Sequence, residues 1–268
     1  MTAPRAAANV LDSVLRSPFS GLAPWILMAV LTGPGRFEIA AAAALALNLL
    51  VMLASRLRGI TIHAIDYLGL AFFVLLTVIG LLASDDVIAT LERWAGELTT
   101  IVLALFVFAT IAVRRPFTLP YAKETTPEEH WHSPVFLRIN YTISTVWGLA
   151  FTFSAACGLF GLLVLKDGDD FWTGWILPLA ALFFAVTFTE FYPDYATAVE
   201  ARRQGEPEPV PAKTALVAWI PTFVLIVGIV GWITGDIPDA VAGAMLALGI
   251  AGNILIGKFF RSDEEVQS

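Results

Sequence analysis

The chain has one cysteine, Cys157, so no disulfide can form within it and compartment cannot be read from one. Embedded in an apolar run, that thiol reads as a small packing residue. Charge is scarce too: 15% of the 268 residues are charged, the net charge is −7, and there are three histidines. An acid-rich chain with few cations argues against nucleic acid as a partner. No glycine-rich phosphate loop, zinc-type Cys/His spacing or nucleophile elbow occurs, and no cofactor is expected. Strands that alternate apolar and polar residues over about ten positions, as a membrane barrel requires, are also missing.

What remains is hydrocarbon. Hydrophobic residues make up 57% of the chain, and the mean hydropathy is +0.76, far from the balance of a domain solvated by water. Charge-free runs fall at 17–35, 39–55, 67–84, 98–113, 141–165, 171–189, 214–235 and 240–257. Each approaches the roughly 20 residues that a helix needs to cross about 30 Å of hydrocarbon. The expected fold is all-α, a polytopic transmembrane helical bundle of about eight spans. FVLLTVIGLLASDDVI (73–88) resembles FVLIVGIVGWITGDIPDAV (223–241), which suggests two four-helix halves. The organisation expected is a membrane half at 1–113 opened by an interfacial N-terminal helix, a motif loop at 114–139, and a second membrane half at 140–198 and 214–260. A proline-rich linker, 199–213, interrupts the second half.

Basic residues orient the chain. With both termini in the cytoplasm, thirteen of the sixteen Lys and Arg residues fall on the inner side, and only Arg36, Arg93 and Lys166 fall outside. The expected location is a bacterial cytoplasmic membrane, with the lipid bilayer as partner and room for a homo-oligomer. Pro24, Pro178 and Pro221 lie inside apolar runs, where each removes a backbone donor. Pro24 reads as a packing bend, whereas Pro178 and Pro221 stand open between a bend and a hinge.

Ionisable residues beside a span are functional candidates when they have partners. His63 and Asp66, three apart, share a helix face at the start of the third run. Glu190, Tyr192 and Asp194 crowd the end of the sixth. Asn48, Asn140 and Asn253, with Thr145 and Thr152, read as interhelical hydrogen-bonding residues. In EEHWH (128–132), His130 and His132 flank Trp131, but alternate spacing on a loop makes them weak metal ligands and no metal is expected.

The most motif-like stretch is RRPFTLPYAKETTPEEHWHSPVFLRIN, from residue 114. Its prolines resist a continuous helix, while Tyr121, Lys123, Glu124 and Arg138 offer a mixed-charge surface that can cover a cavity. PFTLPYAKE, followed by Trp131, SPVFLRIN and TVWGLAF, resembles the bacterial membrane proteins described as intracellular septation protein A-like, over about residues 114–150. The resemblance implies that Pro116, Phe117, Tyr121, Lys123, Glu124, Trp131, Pro134, Asn140 and Trp147 are family-defining, and it carries no established chemistry. The functional expectation is a small transporter or permeation protein for a solute, ion or lipid. Its polar site on the inner side would join Lys123 or Glu124 to Asp66 or Glu190. The alternatives are a membrane enzyme acting on lipid or isoprenoid, with Lys123, Glu124 and Tyr121 at the headgroups, or an envelope and septation scaffold.

Overall fold

The computed structural model describes residues 12–267, and of residues 259–267 the backbone alone. All regular structure among them is helical. Seven helices are long and apolar enough to cross a membrane: Phe37–Leu57, Ala64–Leu82, Asp85–Ala112, Pro134–Leu165, Phe171–Arg203, Lys213–Thr234 and Asp239–Lys258. The chain is a multi-pass integral membrane protein. The first apolar run is shorter than the sequence suggested, because helix α1 covers only Pro18–Leu31. Fourteen residues span about 21 Å, less than the hydrocarbon thickness. Its ends are explicit: Ser17 caps the Phe19 N–H at 3.1 Å, and Thr32 turns extended ahead of Gly33-Pro34-Gly35. The expected interfacial N-terminal helix lies mostly outside the described residues, of which 12–15 are helical.

Two compact units divide the chain, Met1–Ala155 and Ala156–Ser268, whereas the sequence placed the division at the motif segment. In the first unit, α1 is followed by α2 (Phe37–Leu57), α3 (Ala64–Leu82) and α4 (Asp85–Ala112). Gly80 near the end of α3 faces Phe37 and Glu38 at the start of α2, and Gly69 faces Asn48, so α2 and α3 run antiparallel. Trp25 also borders Gly69, while Gly21 borders Ile65, which lays α1 parallel to α3. Trp25, Phe72 and Phe73 form the aromatic centre of this packing, with Trp25 and Phe72 stacked at 5.0 Å.

Two helix ends aim the candidate residues. Gly59, at φ +66°, closes α2, and Ile60 N–H returns to the Ser55 carbonyl. This is the six-to-one bond of a Schellman end, and it starts the short link to His63. Arg114, at φ +59°, closes α4 in the same way, with Arg115 N–H bonded to the Thr110 carbonyl. A non-glycine residue seldom adopts that conformation, and Pro116 then bars a return to the helix. Beyond it the motif stretch is more regular than a loop: α5 (Leu119–Thr125) forms with Pro120 in its first turn, where a proline loses no donor, and a single turn of 3-10 helix follows at Glu128–His130. Helix α6 (Pro134–Phe160) then begins.

In the second unit, the chain winds as π-helix at Gly161–Leu165 and Phe171–Ile176 on either side of a turn. Next come α7 (Leu177–Arg203), α8 (Ile220–Thr234) and α9 (Asp239–Gln267). Pro178 and Pro221 lie inside the spans Phe171–Arg203 and Lys213–Thr234, each in the first α-helical turn where π or 3-10 winding passes into α-helix. Among the described residues Pro24 lies inside α1 and Pro193 inside α7. Gly249 and Gly252 of α9 meet Pro221 and Leu225 of α8, and across that contact the Thr222 hydroxyl donates to Asn253 Oδ1 at 2.9 Å.

Candidate functional site

Asp66 occupies the first turn of α3, and its Oδ2 accepts the backbone N–H of His63 at 2.8 Å. That bond satisfies a donor the helix start would otherwise leave unpaired and draws the carboxylate toward the helix N-terminus, where negative charge is favoured. The sequence pairing of His63 with Asp66 therefore runs through the backbone of His63. Its imidazole goes elsewhere: Nε2 stands 3.1 Å from Glu124 Oε1, with both side chains largely buried. The Tyr121 ring packs on the imidazole with centroids 3.9 Å apart. Tyr121 and Glu124 lie three apart on α5 and so face the same way, while Lys123 points off that face.

Arg16 approaches Glu124 from the other side, with Nη1 3.5 Å from Oε2. It is 45% exposed, against 12% for Glu124, so among the described residues the cluster meets solvent at this edge. Asp12 and Arg58, far apart in sequence, pair at 2.6 Å, with both side chains partly exposed.

Gly21 of α1 closes the cluster. A Cβ there would sit 2.6 Å from Ile65 Cγ2, 3.1 Å from Tyr121 Oη and 3.2 Å from Asp66 Oδ1. The phenol and the carboxylate thus border one small space backed by bare main chain. Tyr121 is 5% exposed, and its hydroxyl has no hydrogen-bond partner among the described residues. A buried hydroxyl without a partner costs about 1–3 kcal/mol.

Electrostatics follow burial. Desolvation holds the His63 imidazole below its ordinary pKa, against the opposing pull of Glu124 and Asp66. Desolvation, together with the negative charges of Asp66 and Glu124, pushes the Tyr121 phenol far up, so it remains a protonated O–H throughout the physiological range.

A second polar contact lies deeper in the bundle. Asn48 Nδ2 donates to the Asp66 carbonyl at 3.1 Å, bridging α2 and α3. Its Oδ1 and Trp25 Nε1 both border Gly69. Trp25 Nε1 is likewise buried and without a partner among the described residues.

A hydrogen-bonded anchor holds the motif stretch in place. The Thr118 hydroxyl donates to the Asn140 carbonyl at 3.1 Å and lies 2.9 Å from Ser144 Oγ, all three residues being buried. Asn140 Nδ2 in turn donates to the Phe136 carbonyl. Asn140 therefore secures the stretch rather than joining the cluster. Lys123 lies over the Trp131 ring at 4.7 Å, and the indole N–H donates to the Thr126 carbonyl at 2.9 Å.

Of the sequence candidates, the structure gathers His63, Asp66, Tyr121 and Glu124. Lys123 is committed to Trp131, Arg138 is an exposed residue of α6, and Asn140 is the anchor. Glu190, Tyr192 and Asp194 belong to the second unit; Glu190 and Asp194 are exposed, and Tyr192 stacks on Phe188 at 4.8 Å. His130 pairs with its neighbour Glu129 at 3.4 Å, both well exposed, and His132 is exposed. Among the described residues no three His, Cys, Asp or Glu side chains gather as a metal site. Thr145 and Thr152 bond back to carbonyls of their own helix, not across helices. Sequence reasoning missed Gly21, Arg16, Thr118 and Ser144, whose parts depend on contacts far apart in the chain.

Comparison with family models, with curated proteins and with solved structures finds no match.

Proposed function

We propose that this chain is a small transporter or permeation protein whose polar site is the cluster of His63, Asp66, Tyr121 and Glu124. The observation that carries the reading is the Tyr121 hydroxyl: almost fully buried, unpartnered, and set beside a carboxylate. A cluster serving only to hold helices together gains nothing from an unsatisfied donor, because phenylalanine would fill the same volume without the desolvation cost. A site that takes up and releases something keeps such a group free. Ionisable side chains at the edge of hydrocarbon fit the same reading, since they are costly to retain there.

The basic residues favour a bacterial cytoplasmic membrane with both termini and this site on the inner side. Arg16 then forms the cytoplasmic edge of the site. On this proposal the PFTLPYAKE stretch has a physical role: Tyr121 and Glu124 line the site, and Asn140 secures the stretch that carries them.

Purified protein in liposomes tests the reading by a screen of ions, protons and small metabolites for flux. Flux of at least one species, reduced in Glu124→Gln, is expected. Folded wild-type protein that moves none of them overturns it.

A further inference from the structure

The cluster is crowded, and crowding limits what it can hold. With Gly21 the space beside Tyr121 and Asp66 is already closed to one added carbon, because Ile65 Cγ2 would lie 2.6 Å from it. A solute of several heavy atoms needs α1 to move away. The charges point to a smaller occupant. Two carboxylates, Asp66 and Glu124, face one imidazole, while the nearest guanidinium, Arg16, is half exposed and screened by water. Added positive charge of negligible volume relieves that imbalance.

The contacts also suit proton exchange. His63 Nε2 and Glu124 Oε1 are 3.1 Å apart, within hydrogen-bonding range. The second Glu124 oxygen looks toward Arg16 and the solvent-open edge, so the pair has an aqueous entrance. On the opposite side Tyr121 Oη and Asp66 Oδ1 border the Gly21 space, and Asn48 and Trp25 Nε1 continue polar groups into the bundle.

We propose that the species bound at this site is the proton, shared between His63 and Glu124. This rests on the transport reading and specifies its cargo or coupling ion. A proton from bulk water converts the carboxylate and neutral imidazole into carboxylate and imidazolium, or equivalently into carboxylic acid and imidazole. The net charge of the pair rises by one in either form, and no other bond changes. Among the described residues, Asp66, Tyr121 and Arg16 are the other titratable or charged groups facing the pair. Asp66 stabilises the protonated form, Arg16 opposes it from the rim, and the Tyr121 phenol keeps its own proton. Burial lowers the imidazole's pKa and so favours its neutral, proton-accepting form.

Full-length protein in liposomes with a trapped pH dye, driven by a potassium–valinomycin potential, reads proton entry directly. Wild type acidifies the lumen, and His63→Gln and Glu124→Gln each lower the initial rate by at least about tenfold. Tyr121→Phe, the mildest change, lowers it less. A pH jump in weak buffer is the second readout and needs no transport: on acidification from neutral pH the wild type takes up more protons per chain than the His63→Gln/Glu124→Gln variant. Solute flux with no proton movement and no difference in proton uptake overturns the proton assignment and leaves the transport reading standing. Movement of neither solute nor proton, in folded protein, overturns both.

Discussion

Gly21→Ala puts the packing of the site to a quantitative test. The new methyl lands 2.6 Å from Ile65 Cγ2, well inside van der Waals contact, and 3.1–3.2 Å from Tyr121 Oη and Asp66 Oδ1. The clashing atom is not the tip of a flexible chain. It is attached to the Cβ of a β-branched residue that is 2% exposed and sits in the first turn of α3, so rotation away is hindered. Helix α1 has to retreat, and overpacking of this kind costs about 1–3 kcal/mol. Ile65→Ala removes the obstructing atom and leaves a cavity of its own, which costs about 2–5 kcal/mol. In the double variant the alanine methyl at position 21 partly fills that cavity, so the two losses do not add. Reversible unfolding in mixed micelles, run as a double-mutant cycle, should return a favourable coupling of about 1 kcal/mol or more. Additivity within about 0.5 kcal/mol, or a neutral Gly21→Ala, refutes the close approach of α1 to α3 on which the site depends.

Tyr121→Phe removes an unpartnered buried hydroxyl, so stability measured by thermal unfolding should be unchanged or raised by up to about 1 kcal/mol while transport falls; clear destabilisation would show that the hydroxyl is paired. Because burial lowers the folded-state pKa of His63 beneath 6.5, the unfolded chain binds the extra proton first. The stability it contributes is present above about pH 6.5 and is lost as pH falls through the folded pKa, by up to about 1.4 kcal/mol per pH unit. His63→Gln should flatten that acid limb in a pH series of melting curves. Trypsin should cut at Arg203, whose side chain is 65% exposed at the head of the irregular 204–212 stretch, well before Lys123, which is held over Trp131; equal rates would refute an ordered motif stretch.

The membrane bundle was legible because hydrocarbon thickness leaves a simple mark, a run of uncharged residues of fixed length. It failed at the first run, where the Gly33-Pro34-Gly35 turn ends α1 early although no charge appears until Arg36. His63 and Asp66 were legible as a pair because a separation of three is local helix geometry. Which atom of His63 met Asp66 was not, because the helix start offers an unpaired N–H that outbids the imidazole. Glu124 as the partner of the ring, and Arg16 as the nearby cation in place of Lys123, are contacts between distant segments that no spacing encodes. The choice between Lys123 and Glu124 becomes clear once α5 is known to be helical, because Tyr121 and Glu124 then share a face and Lys123 does not. Glu190 and Asp194 drew attention as acids at the end of an apolar run, yet they are exposed residues of the second unit.

The most direct test compares Glu124→Gln with Glu190→Gln in liposome flux assays, for whichever species the wild type carries and with folding verified by melting curves. The site described here predicts that Glu124→Gln loses transport and Glu190→Gln retains it. Loss in Glu190→Gln with full activity in Glu124→Gln contradicts it and moves the functional centre to the second unit.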